Sequence, residues 1–222
     1  MKVLVVGYGK MGKMVEELAP LHGLEVGGIV DMDWGDWTSA ADVAIDFSTA
    51  DALRGNFAHY IERHLPVVIG TTGWGELASD LRMQAEAAGL GVVSAANFSL
   101  GVNLFQLMVS NAARLMQPYG EYGAWIHEAH HITKRDAPSG TALLLREAMT
   151  EAGYDRVIDV SSTRAGAIPG THTIGFDSLS DTIELTHTAR DRRGFATGAL
   201  IAAKWLIGRR GWFSMQDVLR SS

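Results

Sequence analysis

The segment from Glu128 to Ala142 (Glu-Ala-His-His-Ile-Thr-Lys-Arg-Asp-Ala-Pro-Ser-Gly-Thr-Ala) gathers groups that move protons and hold anions. Its adjacent imidazoles, His130 and His131, exchange protons near neutral pH. Lys134 and Arg135 add positive charge, while Glu128 and Asp136 add negative charge. Pro138, Ser139 and Gly140 form a turn, and the apolar run from Ala142 to Leu145 is expected to be helical. Asp136 and Ser139 are good N-cap types, and proline favours the edge of a helix start. The amides of Gly140 and Thr141 would then stand unpaired at the positive end of a helix dipole, where an anion binds readily. Together with Lys134 and the two imidazoles, they are expected to hold a small substrate with more than one carboxylate.

Taken singly, these residues have plainer uses. Lys134 could be a surface ion-pair partner, or a Schiff-base nucleophile if its pocket were dry. The Ser139-Gly140-Thr141 turn could simply cap a helix. Neighbours on one strand point to opposite faces, so His130 and His131 do not easily approach the same atom. The same alternation argues against a metal held by Glu128, His130, His131 and Asp136, and no metal is expected.

A second constellation lies at the start of the chain. The run Lys2 to Val6 reads as a buried parallel strand. It is followed at once by Gly7-Tyr8-Gly9-Lys10-Met11-Gly12 and then by a helix through Met14 to Leu18. A G-x-G-x-x-G between strand and helix allows the tight turn and the close approach of a dinucleotide pyrophosphate. The second strand, Leu24 to Val30, ends in Asp31, placed to bond the ribose hydroxyls.

The elements that position these groups alternate in two styles. Strands at Asp42–Phe47, Pro66–Ile69 and Gly91–Ser94 are separated by helices, one capped by Ser48 or Thr49 and running to about His64, the other Glu76–Ala88. Gly70-Thr71-Thr72-Gly73 sits at the carboxyl end of a parallel strand, the edge on which open α/β sheets bind ligands. The segment Ala95-Ala96-Asn97-Phe98-Ser99 leaves the sheet. Residues 1–97 therefore read as a Rossmann-type, doubly wound α/β domain. Beyond them come a helix, Val102–Met116, and strands at Tyr122–His130, Val157–Thr163, Thr171–Ser178 and Asp181–Ala189. That pattern implies an α+β domain over 98–192 with a mostly antiparallel open sheet. A closing apolar helix, Phe195–Ile207, is expected to pack back on the first domain, so 193–222 joins it.

Composition narrows the classes. A length of 222 residues allows a substantial core, and no apolar run approaches the ~20 residues of a membrane span. A net charge of −6 argues against a nucleic-acid partner. With no cysteine the chain has no disulfide or thiol chemistry, and with no signal-peptide pattern a cytoplasmic protein is expected.

Glu128-Ala129-His130-His131 through Lys134, with Asp136-Ala137-Pro138-Ser139-Gly140-Thr141-Ala142, resembles the signature of the 4-hydroxy-tetrahydrodipicolinate reductase (dihydrodipicolinate reductase) family of lysine and diaminopimelate biosynthesis. The likeness extends to the glycine fingerprint, Gly70–Gly73, Ala95–Ser99 and the Arg192 to Gly198 segment. It implies a Rossmann domain and a substrate domain whose open sheet builds a homotetramer. It also implies an NAD(P)H-dependent oxidoreductase that delivers hydride to C4 of a cyclic unsaturated dicarboxylate, formed by loss of water from the hydroxylated precursor. By the resemblance, His130 is the proton donor, with Lys134 beside it in the catalytic cluster. His131, Lys134, Gly140 and Thr141 bind the two carboxylates. Gly7 to Gly12, Asp31, Gly70, Thr71, Thr72, Ala95, Asn97 and Phe98 bind the cofactor, and Arg192 and Phe195 meet it near a hinge about which the domains close.

The chain is shorter than other members of that family between Asp31 and Asp42, and Met32 stands where an arginine could grip a 2′-phosphate. Asp31 favours NADH; Lys10 and Lys13 could partly offset that for NADPH, leaving a modest lean to NADH. Two other functions fit the same layout: a different Rossmann-type amino- or imino-acid dehydrogenase, and a non-catalytic NAD(P)H-binding sensor. The paired histidines, Lys134 and the Ser-Gly-Thr turn have no obvious use in a sensor.

Overall fold

Apolar side chains alternate between the two faces of the first strands, and helices cover both. A computed structural model describes residues 1–32 and 34–220. It divides the chain into one unit of Met1–Leu100 together with the segment from Arg192 onward, and another of Gly101–Asp191. The chain begins with β1 (Lys2–Val6), α1 (Lys10–Leu18) and β2 (Glu25–Asp31), and a two-residue strand, β3 (Trp34–Gly35), follows. Next come β4 (Val43–Asp46), α2 (Ala50–Glu62), β5 (Val67–Ile69), α3 (Ala78–Ala88) and β6 (Gly91–Ser94).

The second unit holds nearly all of α4 (Leu100–Met116), then β7 (Gly123–His130), α5 (Gly140–Glu151), β8 (Ile158–Arg164), β9 (Thr171–Asp177) and β10 (Thr182–Thr188). The chain then returns to the first unit through α6 (Arg193–Leu206), β11 (Gly211–Phe213) and α7 (Met215–Arg220).

The first unit is built on a seven-stranded sheet of order β11-β6-β5-β4-β1-β2-β3. Its pairs are parallel except β2 with β3. Val3, Val5, Val43, Ile45, Val68 and Val93 face α1 and α6, where Val15, Leu18, Ala199 and Leu206 complete one core. Leu4, Val6, Ala44, Val67, Ile69 and Val92 face the other way, onto Leu53, Phe57, Tyr60 and Leu81 of α2 and α3. Strand side chains buried on both faces are what a doubly wound sheet requires. The closing helix α6 packs Ala196, Ala199, Leu200, Ala202, Ala203 and Leu206 into the first of these cores.

Three elements, β3, β11 and α7, have no counterpart in the sequence reading. Between the predicted strands Leu24–Val30 and Asp42–Phe47 the chain carries β3, antiparallel to β2. A two-residue bridge is too short to leave a periodic signal. Beyond α6, β11 adds a parallel strand beside β6, and α7 packs Met215 and Val218 into the first core. Gly-Trp-Phe between arginines and a serine offers no alternation to read.

The second unit has a four-stranded sheet of order β10-β9-β7-β8. β9 runs antiparallel to β7 and β10, while β8 is parallel to β7, reached through α5. Ile126, Ile174 and Phe176 on one face pack with Phe105 and Val109 of α4 and Leu145 and Met149 of α5. The opposite face carries Trp125, His127, Ser161, Thr173 and Thr186, with Thr173 and Thr186 hydroxyls 3.0 Å apart.

Candidate active site

β7 is the second unit's central positioning element. Its alternation buries Ala124, Ile126, Glu128 and His130 on the helix-covered face. The strand ends at His130, and His131 lies beyond it, exposed, with Nδ1 2.7 Å from the Thr133 hydroxyl. The two histidines therefore occupy different environments, one buried and one open.

Glu128 is fully buried and is the hub of this face. Its Oε1 accepts hydrogen bonds from Ser162 Oγ (2.6 Å), Arg164 Nη2 (2.6 Å) and the Ser139 amide (3.2 Å). Burial alone would raise its pKa, but the bonds from Arg164, Ser162 and Ser139 prevail and hold it at about 2. The other oxygen, Oε2, lies 2.5 Å from His130 Nδ1 but off the hydrogen-bond line, so neither atom has an aligned partner.

His130 meets two further neighbours. Its ring packs edge-on against His172 of β9, with centroids 5.1 Å apart. A side chain at Gly170 would place its first carbon 3.0 Å from His130 Nε2, so glycine there leaves the ring its room. Burial lowers the His130 pKa; Glu128 opposes this, and Lys134 and Arg164 reinforce it. His172 is pushed further, to about 4, by burial first and then by His130. His172 Nε2 also lies 3.2 Å from Ser139 Oγ, which caps α5 by accepting from the Ala142 amide.

Glu128, His130 and His172 bring donor atoms within 4.8 Å of one another, a spacing that could hold a metal ion. The Arg164 guanidinium already supplies positive charge at Glu128, so these groups fit a proton-handling network better than a cation site.

The loop from His131 to Ser139 carries Lys134. Arg164 Nη2 donates at 2.6 Å to the Asp136 carbonyl as well as to Glu128, tying this loop to the buried carboxylate. Lys134 Nζ is bound by both oxygens of Asp136, at 2.8 and 3.0 Å. The Gly140 amide, expected to stand unpaired, instead donates at 3.4 Å to the same carboxylate. The physical reason is local: Asp136 lies near a cation and a helix N-terminus and is drawn to both. The pKa of Asp136 is lowered, chiefly by its bond from Lys134.

In the first unit the fingerprint turn sits at the carboxyl ends of β1 and β4, where the strand order reverses. Gly7 has φ +83°, and a side chain there would meet the Phe47 and Ser48 backbone at 2.6 Å. One at Gly12 would strike the Gly7 carbonyl at 2.1 Å. Gly9 is different: a side chain would meet nothing within 4 Å, so the protein's own packing does not demand glycine there. That open space suits the close approach of a pyrophosphate, and the donor set fits a dinucleotide.

Gly7, Gly9 and Asp31 line a cavity of about 420 Å³ with Met32, Trp37, Ser48, Thr49 and Asn56. Met11, Gly70, Phe98, Arg192 and Phe195 line a second, of about 310 Å³. Thr71, Thr72 and Ala95 line a third. Tyr8 turns to Glu16, to which its hydroxyl donates, and Lys13 Nζ lies 5.6 Å from the Tyr8 ring centre. Lys10 is exposed, and the Asn97 side chain accepts from the Ser99 amide.

Sequence reasoning passed over Asp46, at the end of β4. It is fully buried and accepts from Tyr60 Oη (2.7 Å), the Ser48 amide (2.8 Å), Thr71 Oγ1 (2.9 Å) and Asn56 Nδ2 (3.1 Å). It thereby joins the turn after β4 to the Thr71 loop. His172 and Arg164 were also missed, because strand register across β7, β8 and β9 cannot be read from one chain.

The family model described as Dihydrodipicolinate reductase, C-terminus matches residues 101–219, and its N-terminal counterpart matches residues 17–98. The fingerprint glycines precede the matched ranges. A 4-hydroxy-tetrahydrodipicolinate reductase of Christiangramia forsetii is 37% identical over 99% of this chain and 98% of its own. One from Zymomonas mobilis is 36% identical over 97% and 95%. A solved structure of dipicolinate-bound dihydrodipicolinate reductase from Paenisporosarcina sp. TG-14 shares the fold, with a TM-score of 0.81 at 21% identity over 96% of this chain and 97% of that one.

Proposed function

The chain belongs to the dihydrodipicolinate reductase family, and from that premise we propose how its own residues carry the family's reaction. The reaction is the NAD(P)H-dependent reduction of the dehydrated form of 4-hydroxy-tetrahydrodipicolinate to tetrahydrodipicolinate, in lysine and diaminopimelate biosynthesis. The observation that carries the assignment of roles is the convergence of a cation, a helix N-terminus and a buried histidine around β7 and α5.

Lys134, with the amides of Gly140 and Thr141 at the start of α5, holds the substrate's carboxylates, and His131 assists from the open side. A charge-assisted contact of this kind contributes about 1.5–3 kcal/mol. It also fixes the ring, and positioning is itself a large part of the rate gain. When bound, NAD(P)H would supply the hydride. His130 supplies the proton that quenches the carbanion-like charge left on the ring, a role worth about 10²–10⁴ in rate. On the first unit, Gly7 to Gly12, Asp31 and the Thr71–Thr72 loop hold the dinucleotide, with Met11, Ala95, Asn97, Phe98, Arg192 and Phe195 toward its nicotinamide end. The lean to NADH rests on Asp31 and on Met32, which is 80% exposed and carries no charge.

We assign the Thr- and Ser-rich face of the four-stranded sheet to subunit contacts in a homotetramer; Trp125, His127 and Thr173 lie on it half-exposed and Thr186 exposed. No described helix is long and apolar enough to cross a membrane, which is compatible with a cytoplasmic setting.

The test is loss of nicotinamide absorbance with freshly generated substrate, run beside a panel of keto acids with ammonia. Turnover confined to the cyclic dicarboxylate supports the reading. Turnover on a keto acid alone would favour an amino-acid dehydrogenase, and cofactor binding without any turnover would favour a sensor.

A further inference from the structure

We propose that Glu128 is the positioning residue of the proton donor: it holds His130 by Nδ1 and thereby makes Nε2 the nitrogen that exchanges the proton. This deepens, and rests on, the reading of His130 as the donor. The argument begins with accounting. Among the described residues, the hydrogen bonds to the Glu128 carboxylate all reach Oε1, from Ser139, Ser162 and Arg164. Oε2 is left without an aligned partner inside a fully buried side chain, and His130 Nδ1, 2.5 Å away, is in the same condition. A buried acceptor and a buried donor left unpaired are both costly, and a small rotation of the ring or the carboxylate satisfies both.

The tautomer follows from charge. Glu128 is held ionised by its Arg164 and serine partners, so it can only accept. The proton between the two groups therefore belongs to Nδ1 of His130. In the neutral imidazole Nε2 is then bare, and it gains a proton only when the ring becomes imidazolium. Nε2 lies beside Gly170, where a side chain would come within 3.0 Å of it. The charged and titratable groups facing His130 are Glu128 on its own strand, Arg164 on β8, His172 on β9 and Lys134 on the loop. Glu128 is the one that favours the imidazolium; Lys134 and Arg164 oppose it, as does burial.

Nitrogen-15 NMR of the histidine-labelled full chain tests this without any substitution, apart from a His130→Asn sample used to assign the signals. The expected result is a neutral His130 with its proton on Nδ1 and an Nε2 that titrates. A neutral form protonated on Nε2 would overturn the proposal.

Kinetics give the second reading. Glu128→Gln should lower kcat by about 10- to 100-fold. Because an acid must be protonated to act, kcat falls as pH rises through the imidazolium pKa. Removing the Glu128 charge should move that fall to lower pH by about one unit or more. Glu128→Asp should recover part of kcat, and NADH affinity should stay the same in both variants. An unshifted pH profile in a folded Glu128→Gln protein would refute the positioning role. Failure of the parent reading looks different: there, His130→Gln itself would keep wild-type kcat.

Discussion

The Lys134 ammonium is gripped by both carboxylate oxygens of Asp136, at 2.8 and 3.0 Å, and the same carboxylate reaches the Gly140 amide at the head of α5. In the proposed reading, an incoming substrate carboxylate has to displace Asp136 from both donors. Asp136→Asn should therefore tighten binding of pyridine-2,6-dicarboxylate. An exposed ion pair contributes about 0.2–1 kcal/mol, which corresponds to about a 1.5- to 5-fold lower Kd by titration calorimetry. Weaker binding in the variant would mean that Asp136 holds Lys134 in place for the substrate.

Removing the cation should do the reverse. Lys134→Ala is expected to lose about 10²-fold in kcat/KM, the scale of a charge-assisted carboxylate contact. The dissociation constant for NADH, measured by nicotinamide fluorescence, should not move. Wild-type efficiency in this variant would remove Lys134 from the substrate site.

Stability should depend on pH through His172. Its folded-state pKa is pushed down from 6.5 to about 4, mainly by burial. The unfolded chain thus takes up this proton first, so stability is full above pH 6.5 and is lost as pH falls toward 4. Taken whole, the shift corresponds to about 3 kcal/mol. His130 and His187 shift in the same direction and add to the loss. Urea unfolding between pH 7 and 4 should show this decline, and His172→Asn should flatten it. A wild-type stability independent of pH over that range would contradict the buried, neutral state of His172.

These expectations rest on residues of unequal visibility in the sequence. The Rossmann half was readable because its strands are continuous apolar runs and its glycines sit between a strand and a helix. Ser139 announced itself as a cap, and it does cap α5. The pairing of Glu128 with His130 was implicit in the period of two along β7, since residues two apart share a face. Arg164 and His172 were invisible because they reach that face from other strands, in registers that only three-dimensional pairing sets. Asp46 hid for a related reason: its partners come from α2 and from the Thr71 loop. The Gly140 amide departs from expectation because helix geometry alone leaves it free, whereas the Asp136 carboxylate four residues earlier accepts from it.

In the proposed reading, cofactor choice turns on Asp31. Asp31 lines the same cavity as Gly7 and Gly9; a carboxylate there would suit the two ribose hydroxyls of NADH, whereas a 2′-phosphate would meet like charge. Met32 beside it brings no cation, and Lys13 is engaged over the Tyr8 ring. A modest preference for NADH, with NADPH still usable, is expected from kcat/KM for both cofactors at fixed ionic strength. Asp31→Ala with Met32→Arg should invert the order by removing the repulsion and adding a guanidinium fork. A parent that strongly prefers NADPH would transfer the role to Lys10 or Lys13.

The account depends most on a buried His130 protonating a ring that has just accepted hydride. The direct measurement is single-turnover loss of nicotinamide absorbance with freshly generated substrate, in light and heavy water, for the wild type and His130→Gln. The predicted result is a solvent isotope effect in the wild type and a fall in rate of about 10²–10⁴ in the variant, with NADH affinity unchanged. Equal rates in the two proteins, and no isotope effect in either, would contradict it.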